Sequence, residues 1–185
     1  MNSDWNSFLE YTALGIGHIW TGYDHLLFLA AVLIGTGSKW DYLKILSAFT
    51  VGHSITLALA SLDIVSIPPS VIEPLIALSI VLAAGESLMR RSIGGRWRFT
   101  LLFGLVHGFG FAGVLKGFFS SNFVLALFSF NLGVEIGQLV FAAVALPVLG
   151  YIRRRTDGHS RMKYALPAVI GVFGLYWFVE RVFIS

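Results

Sequence analysis

The sequence predicts an all-α membrane protein, a helical bundle of about six transmembrane helices with both termini outside. Three observations carry that expectation. Of 185 residues, 56% are hydrophobic and 12% charged, whereas a soluble domain carries about a quarter charged residues. Apolar segments long enough to span a bilayer, about 20 residues each, recur six times. Eleven of the thirteen Lys and Arg residues fall in the connections of one side, the bias that marks cytoplasmic loops.

The expected spans are 8–35, 42–61, 70–89, 99–117, 122–150 and 164–184 within a single domain, 1–185. Gly35-Thr-Gly-Ser38, Pro68-Pro69, Gly94-Gly95, Ser120-Ser121 and Asp157-Gly158 separate them, as turn-forming residues should. The first and fifth exceed the minimum length, so tilt or extension past the lipid is expected of them. No short apolar stretch with a small-residue cleavage site precedes the first span, which is therefore read as a retained helix. Lys39 and Lys44, then Arg90, Arg91, Arg96 and Arg98, then Arg153, Arg154, Arg155, Arg161 and Lys163 occupy one side, while Lys116 and Arg181 occupy the other. With basic residues explained by topology, the pI near 9.4 gives no reason to expect nucleic acid. The chain has no cysteine, which excludes disulfides, thiolate metal sites and cysteine nucleophiles.

Glycines spaced by four, Gly104/Gly108, Gly113/Gly117 and Gly133/Gly137, are the pairs that let helices approach closely in lipid. Gly15-x-x-His18 in the first span is echoed by Gly104-x-x-His107 in the fourth. Two halves of opposite topology would leave such an echo, although two matching residues do not establish a repeat.

Against this apolar background stands a set of polar residues at mid-depth: His18, Asp24 and His25 in span one, His53 in span two, His107 in span four, and Asn131, Glu135 and Gln138 in span five. Glu86 lies toward the cytoplasmic end of span three, and Glu73 and Glu180 toward the outer ends of theirs; His159 is in a basic loop. Asn131, Glu135 and Gln138 stand at i, i+4 and i+7 and so form one stripe. His18 and His25 share a face but lie about 10 Å apart on a straight helix, so they meet at one ion only if Gly22 permits a kink. A single membrane histidine more often hydrogen-bonds a neighbouring helix than binds metal. Four of them with carboxylates on four helices exceed what packing needs, since each unsatisfied group costs several kcal/mol in hydrocarbon. A divalent cation or a wet, proton-conducting cavity would stabilise the set together. Imidazole and carboxylate without thiolate suit Ni, Zn, Co or Fe(II). Convergence of Asp24, His25, His53 and His107 is expected, with Asp24 and Glu135 balancing the charge of the ion. Ser54 beside His53 points about 100° away on a helix and makes no nucleophile–base pair. Gly108-Phe-Gly-Phe-Ala-Gly113 lacks the strand–turn–helix context of a nucleotide loop.

These residues sit in motifs that resemble the HupE/UreJ family of hydrogenase and urease accessory membrane proteins. The motifs are His18-Ile-Trp-Thr-Gly-Tyr-Asp-His25, Phe49-Thr-Val-Gly-His-Ser-Ile-Thr-Leu57, Glu73-Pro-Leu-Ile-Ala-Leu-Ser79, Phe103-Gly-Leu-Val-His-Gly-Phe-Gly-Phe-Ala112 and Phe130-Asn-Leu-Gly-Val-Glu-Ile-Gly-Gln138. Ile19 departs from the proline of the better-studied branch. The resemblance implies a multi-pass protein of the bacterial inner membrane that acts as a nickel permease or metal-delivery factor, with metalloenzyme maturation proteins among its partners. The site residues so expected are His18, Asp24, His25, His53, His107 and Glu135 for the metal, with Glu73, Glu86, Asn131 and Gln138 supporting the pathway. Two other readings stand beside it: an intramembrane zinc hydrolase, and a metal-free, proton-coupled membrane subunit.

Overall fold

The computed structural model describes residues 2–34, 39–89, 95–115, 122–156 and 162–184. The described residues form seven helices and no strand: α1 (Asn2–Thr21), α2 (Tyr23–Ile34), α3 (Lys39–Ser61), α4 (Pro69–Met89), α5 (Arg96–Leu115), α6 (Phe123–Thr156) and α7 (Met162–Phe183). Among the described residues, four stretches are long and apolar enough to cross a membrane, Trp40–Ser61, Pro69–Met89, Phe123–Ile152 and Tyr164–Phe183. Arg90, Arg91, Lys116, Gly117, His159 and Arg161, with the turns at 35–38, 120–121 and 157–158, lie outside the described residues.

The ends of several helices follow from local chemistry. Asn122 caps α6, its Oδ1 accepting from Leu125 N at 3.2 Å, which satisfies an amide that the first turn leaves orphaned. After α3 the chain closes with Ile64 N donating to the Leu59 carbonyl and Asp63 N to that of Ala60, while Asp63 takes a φ of 57°. Those paired bonds with a left-handed residue are a Schellman ending, built here on aspartate instead of the usual glycine. Proline opens α4 at Pro69, where a missing N–H costs nothing.

The expected first span is not one helix. Continuity fails at Gly22, between α1 and α2, and the 8–35 reading is corrected accordingly. Gly22 N still donates to the His18 carbonyl at 2.9 Å, and its own carbonyl accepts from Leu26 N at 3.2 Å, so the break is a single-residue bend. The bend as formed has room only for glycine: a Cβ at residue 22 would stand 2.7 Å from His25 Nδ1 and 2.9 Å from the His18 carbonyl oxygen. Hydrophobic periodicity cannot reveal such a bend, because both arms are apolar.

Three helix pairings dominate: α3 with α5, α1 with α6, and α4 with α7, while α2 lies against α4 and α6. The first two pairs are glycine seams. An added Cβ at Gly52 would strike the Leu101 carbonyl oxygen, at Gly104 that of Phe49, at Gly15 that of Phe130, and at Gly133 that of Thr12. Backbones in such contact gain dispersion and close polar packing without needing a hydrophobic effect. One core cluster gathers Phe28, Phe49, Ile80 and Phe103; another joins Ile19, Leu57, Phe130 and Val134. The histidines fill the space between them.

Candidate metal centre

The bend at Gly22 puts His18, on the last turn of α1, beside His25, on the first turn of α2. Their ring centroids are 4.5 Å apart, less than half the separation of a straight helix. His53 reaches in from α3, its ring 5.6 Å from that of His18 and 6.0 Å from that of His25. One ring nitrogen from each of His18, His25 and His53 can be chosen so that all three lie within 4.8 Å of one another. His107 from α5 stands next to them, 4.8 Å from His25 between centroids, with Nε2 3.0 Å from Ser79 Oγ. The close α3–α5 seam sets the relation of His53 to His107, because Gly108 packs on the carbonyl of His53 itself.

These rings are buried: His53 is wholly so, His107 1% exposed and His25 6%. Yet among the described residues His18 Nε2, both nitrogens of His25, both of His53 and Nδ1 of His107 have no hydrogen-bond partner. Buried polar atoms are normally satisfied. One such nitrogen each from His18, His25 and His53 makes an all-imidazole set of the kind a divalent transition ion accepts. Phe111 packs 4.0 Å from the His18 ring, Phe28 5.3 Å from His107, and Phe49 5.1 Å from His107. These rings give the histidines an apolar surround, which strengthens a charge–ligand interaction beside them.

The carboxylates are placed differently from the histidines. Asp24 turns to Arg181 of α7, which donates from Nη2 to Oδ2 at 3.0 Å and to Oδ1 at 3.3 Å; Arg181 Nη1 also donates to the Glu73 carbonyl at 3.2 Å. A cavity of about 330 Å³ connects this trio with His18, His25 and His107. Asp24 and Arg181 are thus its mouth, about a fifth exposed, and the histidines its floor. Arg181 was not among the residues expected at the site, and only its position near an outer helix end pointed to it. Glu135 accepts from Ser47 Oγ at 2.7 Å, outside the trio of grouped ring nitrogens. Gln138 accepts from Thr50 at 3.2 Å. Asn131 lies beside His53, with Nδ2 donating to the Leu127 carbonyl at 2.8 Å. Glu86 is at the other end of α4, buried in an ion pair of 2.9 Å with Arg96 Nε.

Fold and site together define a helical bundle with four apolar spans and a buried imidazole cluster reached from one end. The chain belongs to the HupE/UreJ family: the family model described as HupE / UreJ protein matches residues 1–181. No curated protein and no solved structure matches the chain.

Proposed function

We propose that the protein binds a divalent transition metal, nickel by family, at His18, His25 and His53, with His107 alongside, and carries it across or delivers it from the bacterial inner membrane. The observation that carries this reading is the cluster of unpartnered, buried ring nitrogens of His18, His25 and His53, which lie within 4.8 Å of one another. The cavity leading from Asp24, Glu73 and Arg181 to the histidines supports entry of an ion from that end, and Glu86 would lie on its way out. Six spans, counting α1 and α2 as one, would put both termini on one side, and the basic residues of the Arg90–Arg98 and Arg153–Lys163 connections support the cytoplasm as the other. Asp24 is already neutralised by Arg181, so Glu135, held by Ser47, is the carboxylate left to balance ion charge from a distance.

Purified protein should bind Ni²⁺, Co²⁺ or Zn²⁺ in calorimetry and retain it through gel filtration. Outer-shell partners of metal ligands contribute 10–100-fold in affinity, so loss of a ligand in His53→Gln should weaken binding by about a hundredfold or more. A parent that binds no divalent ion, or a His53→Gln variant that binds as the parent does, ends this reading. Topology is checked separately by single cysteines at Ser3 and Ser92 in intact cells. An impermeant thiol reagent should label the first and spare the second.

A further inference from the structure

We infer that the bundle is an inverted repeat, with α1–α2, α3 and α4 answering to α5, α6 and α7, and that it is seen here in one of two alternating states, open at Asp24–Arg181 and closed by Glu86–Arg96. Exchanging the halves turns the α1–α6 pairing into α5–α3 and returns α4–α7 to itself, so the three dominant pairings survive the exchange. The seams agree residue by residue. Gly15 abuts the carbonyl of Phe130, and Gly104 abuts that of Phe49. Gly133 abuts the carbonyl of Thr12, three residues before Gly15, and Gly52 abuts that of Leu101, three before Gly104. The words in contact are Gly-x-x-His (Gly15–His18, Gly104–His107) and Phe-x-x-Gly (Phe49–Gly52, Phe130–Gly133), in the same register in both halves.

Each end of the bundle carries an ion pair from the last turns of a third helix, at first-span positions that the seam register does not superpose. Arg181, near the end of α7, pairs with Asp24 in the first span; Glu86, near the end of α4, pairs with Arg96 at the start of α5. Glu73 and Glu86 are about 20 Å apart along α4, so the two pairs guard opposite ends. They differ in how closed they are. The Asp24 and Arg181 side chains are 23% and 19% exposed above the cavity, whereas those of Glu86 and Arg96 are 6% and 9% exposed. Arg96 Nη1 also donates to the Val32 carbonyl at 3.1 Å, and Ser87 to that of Ala31 at 2.6 Å, sealing the last turn of α2. The halves also differ in conformation at one place. The first span breaks at Gly22, while its counterpart in α5, one turn past His107 beside Gly108 and Gly110, stays within one continuous helix. In an inverted repeat that difference is what the second state reverses.

The inference rests on the translocation reading, but its test needs no metal, so a chain that binds no ion overturns that reading and leaves this one open to measurement. The cysteine-free sequence is a ready background. In lipid nanodiscs an impermeant thiosulfonate should modify Thr21→Cys, on the cavity wall, quickly, and Ala83→Cys, one turn inside Glu86, slowly. Neutralising the closed end with Glu86→Gln/Arg96→Gln should raise the Ala83→Cys rate by about tenfold or more, the size of a shift from 1% to 10% open, and lower the Thr21→Cys rate. Should the double variant not fold, Arg96→Lys, which keeps the charge and loses the forked donors, should move both rates in the same directions. An unchanged Ala83→Cys rate, or a rise at both positions, overturns the inference.

Discussion

Gly22 decides more of the site than any ligand does, because without its bend His18 and His25 belong to different turns of one helix. Alanine there is favoured by helix propensity by about 1 kcal/mol, yet its Cβ would meet His25 Nδ1 at 2.7 Å and the His18 carbonyl at 2.9 Å. Local preference and site geometry therefore oppose each other at this position. Gly22→Ala should leave the melting temperature within a few degrees of the parent while weakening divalent-metal binding by about tenfold, roughly 1.4 kcal/mol. Calorimetry and a thermal scan on one preparation separate the two effects, and equal affinity with a lowered melting temperature would contradict the role given to the bend. The residue types of the site were legible in the sequence, since titratable groups at membrane depth announce themselves. Their grouping was less so. His18 depended on a bend that periodicity does not encode, and Asp24 turns to a partner 157 residues away, a distance at which only the folded chain can match an acid to a base.

At the level of elements, each of the seven helices overlaps one of the six apolar segments read from composition, because length and hydropathy decide helix position in lipid, although α1 begins at Asn2, ahead of its segment, and α6 runs on to Thr156, past the end of its own. What composition does not decide is which helix packs on which. The glycine spacing identified Gly104/Gly108 and Gly133/Gly137 as close-packing faces without naming the partners, α3 and α1. Glycines of the same helix should consequently differ sharply in tolerance. A Cβ at Gly15 runs into the Phe130 backbone, whereas one at Gly17 meets nothing within 4 Å. Gly15→Ala should cost about 1–3 kcal/mol through forced separation of α1 and α6, while Gly17→Ala should be neutral or stabilising by up to about 1 kcal/mol. Reversible unfolding in mixed micelles measures both, and equal costs at the two positions would refute the seam.

At the scale of the whole molecule, the ion pairs Glu86–Arg96 and Asp24–Arg181 stand at opposite ends among the described residues, with the imidazole cluster between them. Arg181 presents a positive charge where a cation would enter. A charge at the rim of a binding site acts chiefly on association rate and its salt dependence. Arg181→Gln should therefore speed metal association several-fold at low ionic strength, with the advantage shrinking as salt is raised. Stopped-flow binding at two salt concentrations tests it, and a slower, salt-independent association would make Arg181 a structural tie for α7 alone.

The bond between Asp24 and Arg181 also orders events during synthesis. At about 5–20 residues per second, the 157 residues between them take roughly 8–30 s to translate. Through that interval the first span holds an acid and two histidines with no last helix to meet them, and the carbonyls of Ala31 and Val32 wait for Ser87 and Arg96. The ion pair at that end is therefore completed only once the last helix has been made.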